Sequence, residues 1–180
     1  MSTFKNNHLF KIILTSLLIA LNVIMERFMS FNVWNQSIGF SFITIAFAAV
    51  FLGIPYAVAV GAFGDIIGAL LFPFGSYFVG FTITNILAAF ITAIFIYKKA
   101  SVINIIASVI INKISTTLIL NSIWITLLYR DSLDAFPAVL ITRIPQAAIM
   151  AVVEIIVVTL LFSQKSKIRL SIEKTINKFM

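Results

Sequence analysis

Apolar residues run through this chain in long blocks separated by short polar or basic stretches, and these blocks define the predicted elements. A helix needs about 20 consecutive apolar residues to cross a bilayer. The pattern predicts an all-α integral membrane domain with six transmembrane helices over about residues 10–28, 40–53, 56–72, 77–97, 102–129 and 138–162, followed by a basic tail at 163–180. Each block has a visible stop. The first ends at Glu26 and Arg27 and is followed by a polar stretch, Ser30 to Ser37, with Asn32, Trp34, Asn35 and Gln36. The second is short and halts at Gly53 and Pro55, the third at the turn from Pro73 to Ser76, the fourth at Lys98 and Lys99, and the fifth at Arg130 and Asp131. The first block outruns a signal-peptide core and lacks a small-residue cleavage site, which predicts a retained span.

Composition narrows the class further. The 180 residues are 61% hydrophobic and 11% charged, with a mean hydropathy of +1.11, far from the roughly 25% charged residues of a soluble domain. The net charge of +7 is distributed unlike a nucleic-acid-binding patch. Lys5, Lys11, Lys98, Lys99, Lys165, Lys167, Arg169, Lys174 and Lys178 fall on one side of the predicted bundle, and only Arg27 and Arg130 near the span ends on the other. The positive-inside rule then places both termini in the cytoplasm, and attraction to an anionic inner leaflet accounts for the charge without nucleic acid. Ile168, Ile172, Ile176 and Phe179 among the tail lysines fit either a helix lying along the membrane surface or a frayed polar end. The chain has no cysteine and one histidine, His8, and no phosphate loop, HExxH or nucleophile-elbow motif. These absences argue against an enzyme, a metal site and a cofactor.

Polar residues inside the spans are the candidate functional groups, because an ionisable side chain in hydrocarbon needs a partner or a water-filled cavity. At about 1.5 Å per residue, Asp65, Lys113 and Glu154 all lie roughly 13 to 17 Å from the cytoplasmic ends of their spans. The expectation is an intramembrane ion pair of Lys113 with Glu154 or Asp65, whether it holds the bundle together or takes part in ion coupling. Arg27 and Arg143 lie nearer the opposite surface, where two guanidinium groups suit a carboxylate or phosphate; Arg27 beside Glu26 also fits a purely interfacial role. Gln146 follows Arg143 past Pro145 and offers both donors and acceptors. On the fifth span, Thr117, Asn121, Trp124 and Leu128 form a stripe above Lys113, with an amide for hydrogen bonding and an indole for stacking. Phe40, Phe42, Phe72, Phe74, Tyr77, Phe78 and Phe81 cluster near that same end, as a pocket wall or as an interfacial aromatic belt. Two small-xxx-small pairs, Ser16 with Ala20 and Gly64 with Gly68, permit close helix packing, inside the chain or against another subunit.

Several of these segments together resemble a known family. The run from Leu21 to Phe28, the Ile38, Gly39, Phe40 triplet, the run from Gly61 to Gly68, the segment from Phe72 to Phe81, and the run from Leu120 to Trp124 are similar, in the same order, to the substrate-binding S components of energy-coupling factor transporters, in particular the folate family. The resemblance implies a six-helix, non-catalytic vitamin-binding subunit of a prokaryotic plasma membrane. It also implies a membrane coupling subunit and two cytoplasmic ATPases as partners, and a subunit that topples in the membrane to carry its vitamin inward. Carried over by motif, Arg27, Asn121 and Trp124 become candidate folate contacts. Phe40, Phe74, Tyr77, Arg143 and Gln146 join them on position and chemistry. The family's alanine-xxx-alanine contact with the coupling subunit corresponds here to Ser16 and Ala20. An S component for another flat vitamin such as riboflavin, an ion-coupled secondary transporter and a structural scaffold are the alternatives; no inverted repeat between the halves supports the second.

Overall fold

The structure, a computed structural model, describes residues 8–33, 36–73, 77–129 and 133–163. The expectations placed on Phe74 and on the tail past Ser163 lie outside these residues.

The order of elements is α1 (His8–Arg27), a small hairpin of β1 (Phe31–Val33) and β2 (Gln36–Ile38), α2 (Phe42–Phe51), α3 (Ile54–Leu71), α4 (Val79–Ile96), α5 (Val102–Asn112), a π-helical stretch (Lys113–Leu120), α6 (Asn121–Tyr129), a 3-10 turn (Leu133–Ala135) and α7 (Phe136–Ser163). The polar stretch after the first span, expected as plain loop, contains this antiparallel hairpin, with Phe31 opposite Ile38 and Val33 opposite Gln36. Among the described residues, five helices are long and apolar enough to cross a membrane, with α5, the π stretch and α6 acting as one rod. The remaining helix, α2, has 10 residues, which at 1.5 Å per residue gives about 15 Å, half the thickness of a hydrocarbon core.

This short helix is central. Ala46, Ala48 and Ala49 of α2 are essentially unexposed, with Ala48 at 0%, because alanine lets neighbouring backbones close in around it. They join Ala57 and Val60 of α3, Ala89, Ala93 and Ile96 of α4, Ile105 and Val109 of α5, and Val158 and Phe162 of α7 in a single core. Larger apolar side chains such as Leu17, Leu70, Ile103, Ile149 and Leu160 face outward. Small residues inside and bulky aliphatic ones outside is the arrangement expected where lipid, not water, surrounds the bundle.

Glycines set the close approaches. Gly53 turns the chain from α2 into α3 at φ +106°, a conformation that disfavours a side chain, and Tyr97 lies 3.1 Å from where a Cβ would stand. Pro55 follows in the first turn of α3, where its missing N–H costs nothing. Gly64 and Gly68 pack inside the chain against α1: a Cβ on Gly64 would run into the Asn22 amide, and one on Gly68 would lie 2.9 Å from Arg27 Nε. The other small pair, Ser16 and Ala20, is exposed on α1.

Within the π stretch the hydroxyls of Ser115 and Thr116 donate back to the carbonyls of Ile111 and Asn112, each at 2.6 Å, as Thr84 does in an ordinary α-helix. The wider bond pattern ends with Asn121 N–H on the Thr116 carbonyl.

Candidate functional site

The alanine-packed core fills the half of the bundle that holds the Gly53 turn and residues 97–101. The other half, where residues 28–33, 39–41, 72–73, 77–78 and 133–135 lie, opens into a cavity of about 480 Å³, within the usual range for a small-molecule site.

Every long helix contributes to its wall. Glu26 and Arg27 come from the end of α1, where Gly68 gives the arginine room. Ser41 and Phe42 come from the start of α2, whose first turn is fixed to α1: Asn22 Nδ2 donates to the Ser41 carbonyl (3.2 Å) and to Thr44 Oγ1 (2.6 Å), and Thr44 donates to the same carbonyl (2.7 Å). Asp65 comes from α3, and Phe81, Thr84, Asn85 and Thr92 from α4. The fifth rod supplies Asn112, Lys113, Thr116, Thr117, Asn121 and Ile125; α7 supplies Arg143, Gln146, Met150 and Glu154.

Lys113 and Glu154 form a salt bridge across the wall between the fifth rod and α7. Asp65 lies elsewhere: Thr82 donates its hydroxyl to Asp65 Oδ2. Arg143 is only 7% exposed and donates from Nη1 to the Thr117 carbonyl at 3.1 Å, so the π stretch anchors a buried cation at the cavity. Asn112 Nδ2 bridges to Thr92 Oγ1 (2.8 Å) and the Ala88 carbonyl (3.3 Å). The side-chain oxygens of Asn112 and Asn121 are buried without a hydrogen-bond partner among the described residues, a costly condition that a donor from a ligand or water relieves.

Of the residues singled out from sequence, Arg27, Asn121, Arg143 and Gln146 line the cavity, together with Asp65, Lys113 and Glu154. Phe40, Tyr77 and Trp124 do not. Phe40 has its ring tilted against that of Phe42, with centroids 6.2 Å apart. Tyr77 bonds to Thr82 at 2.8 Å. Trp124 turns to α4, donating from Nε1 to Thr84 Oγ1 (3.0 Å) and meeting Phe78 edge-on. The stripe read at α-helical spacing assigns Trp124 to the wall; the wall positions of the fifth rod recur at Lys113, Thr117, Asn121 and Ile125 instead. Among the described residues, the aromatic wall is Phe42 and Phe81. Sequence reasoning also missed Asn85, Thr92, Asn112 and Met150 as wall residues; the in-span amides Asn85 and Asn112 were the available signal.

Comparison with known proteins agrees with this geometry. Residues 10–162 match the family described as "ECF transporter, substrate-specific component". The folate transporter FolT of Clostridium novyi (strain NT) is 34% identical over 142 residues, 78% of this chain and 81% of the relative. FolT of Leuconostoc mesenteroides is 29% identical over 148 residues, covering 79% of each chain. Among solved structures, a crystal structure of FolT bound with folic acid superposes with a TM-score of 0.78 at 30% identity, covering 85% of this chain and 92% of the other. With the match spanning nearly the whole bundle, the chain belongs to the family of substrate-specific components of ECF transporters, a transport family and not an enzyme family.

Proposed function

We propose that this chain is the folate-binding membrane subunit of an ECF-type importer. Its cavity is the observation that carries the reading: about 480 Å³, walled by arginines, carboxylates and amides with two apolar rings, in a fold like that of a FolT bound with folic acid. A pterin is flat and edged with hydrogen-bonding groups, and it suits Phe42 and Phe81 on its faces and Asn121 and Gln146 at its edges. A glutamate tail carries carboxylates that suit Arg27 and Arg143.

In the full reading, α2 completes a six-helix bundle in a prokaryotic plasma membrane, with both termini in the cytoplasm and the cavity opening outward. A membrane coupling subunit and two ATPases supply the energy, and Ser16 and Ala20, exposed on α1, form part of the face that meets the coupling subunit. Ion coupling has less support, because the Lys113 and Glu154 charges offset each other and Asp65 is engaged by Thr82.

Isothermal titration of the detergent-purified chain with folic acid, riboflavin and thiamine tests the proposal. Tight binding of folic acid alone is expected, with Arg27→Ala and Asn121→Ala each weakening it at least about tenfold, the scale of a lost charge-assisted or buried hydrogen bond. Preference for riboflavin, or folded protein that binds none of the three, overturns it.

A further inference from the structure

Asp65 and Tyr77 belong to different parts of the molecule, one in the cavity wall and the other next to the α3–α4 connection. The structure joins them through a residue that reaches neither the cavity nor the surface. Thr82 is 6% exposed and Asp65 5%, while Tyr77 is 43% exposed. Thr82 donates its single proton to Asp65 Oδ2, so the 2.8 Å contact with Tyr77 has the phenol as donor and the threonine oxygen as acceptor. The result is a directed chain from Tyr77 Oη to Thr82 Oγ1 to the Asp65 carboxylate.

The helix register makes this possible. α3 and α4 approach closely at Gly61, where a Cβ would lie 3.0 Å from both the Asn85 carbonyl oxygen and Ala89 Cβ. One turn further along α3 is Asp65, and one turn back along antiparallel α4 is Thr82. The alternative for a threonine in a span is to bond to its own helix, as Thr84 does to the Gly80 carbonyl at 3.0 Å. Thr82 instead spends its proton across the interface.

We infer that Thr82 and Tyr77 are positioning residues for folate capture: they hold one oxygen of Asp65 so that the carboxylate presents its other oxygen to an N–H donor of the ligand. Neither residue lines the cavity, and both act through Asp65. The Thr82 hydroxyl brings no charge to Asp65, whereas Glu154 is paired with the Lys113 ammonium. Tyr77 polarises the hydroxyl and ties the aspartate's orientation to the end of the α3–α4 connection.

This inference rests on the folate reading, and a double-mutant cycle separates the two. Folic acid is titrated into the full chain carrying Asp65→Ala, Thr82→Val, Thr82→Ser or Tyr77→Phe, and into Asp65→Ala combined with Thr82→Val or Tyr77→Phe. Asp65→Ala and Thr82→Val should each weaken binding about tenfold or more, and Tyr77→Phe about three- to fivefold. Thr82→Ser should stay within about twofold of the unsubstituted chain. On the Asp65→Ala background, which leaves no acceptor for the Thr82 hydroxyl, the further substitutions should change affinity by less than about twofold. A merely structural threonine would cost the same in both backgrounds, and that result, or unchanged binding in Asp65→Ala or Tyr77→Phe, overturns the inference. If Thr82→Val does not fold, the Tyr77→Phe cycle decides alone, since the half-exposed ring is kept. Failure of the unsubstituted chain to bind folic acid overturns the folate reading and this inference together, and is told apart by appearing without any substitution.

Discussion

Among the described residues, six ionisable side chains meet at the cavity, Arg27, Lys113 and Arg143 against Glu26, Asp65 and Glu154. With three formal charges of each sign among them, directed hydrogen bonds are expected to count for more in recognition than a net field. Lys113 and Glu154 neutralise each other, and removing one partner leaves a buried charge, which costs more than replacing both by apolar residues. Lys113→Met is therefore expected to lower stability by about 3–5 kcal/mol, and the double change Lys113→Met with Glu154→Leu to recover most of it. Thermal unfolding in detergent reads both. Arg143 is a different case: its Nη1 is fixed on the Thr117 carbonyl, which leaves the rest of the guanidinium fork to grip a carboxylate. Arg143→Lys keeps the charge and loses the fork, so folic acid affinity should fall at least about fivefold by titration.

Among the elements, the fifth rod shows where sequence reading stops. Its existence and extent follow from a largely apolar run, interrupted by Lys113, Thr116, Thr117 and Asn121, as those of the other long helices follow from theirs. Its wall does not, because composition gives no sign of the eight-residue π-helix (Lys113–Leu120), and past it nothing in the sequence separates Trp124, which turns to Thr84, from Ile125, which lines the cavity. Asp65, Lys113 and Glu154 were legible as groups needing partners, since charge in hydrocarbon demands one. Which partner each takes depends on helix register. Thr82 was invisible, because a threonine in a span carries no signal that separates a bond to its own helix from a bond across an interface. For Trp124 the structure makes a clear prediction: Trp124→Phe, which loses only the bond to Thr84, should leave folic acid affinity within about threefold while lowering stability by about 1 kcal/mol. The α1–α3 crossing makes another. Gly64→Ala forces a Cβ into the Asn22 amide, which holds the first turn of α2, and overpacking of that kind costs about 1–3 kcal/mol. A lowered melting temperature, with weaker folic acid binding as Ser41 and Phe42 shift, is the expected outcome.

For the molecule as a whole, the proposed contact with a coupling subunit lies on the exposed face of α1. Ser16 and Ala20 are exposed and small, so a partner helix can approach the backbone there. Ser16→Trp should leave folic acid binding by the isolated chain unchanged and abolish co-purification with a coupling subunit and its ATPases. Recovery of the intact complex with this variant would move the docking face elsewhere.

The division of the bundle into an alanine-packed half and a polar-walled half also has a bearing on redesign. Most of the hydrogen bonds that cross between helices lie around the cavity, at Asn22, Asp65, Asn112, Lys113, Trp124 and Arg143. The opposite half is held by shape, through Ala46, Ala48, Ala49, Ala89 and Ala93. Fold and taste are thus written in separate places. A chain retargeted to another flat heterocycle can take new side chains at Asn85, Gln146 and Met150 while the same small-residue chassis carries them, so ligand preference is free to drift without the architecture having to be reinvented.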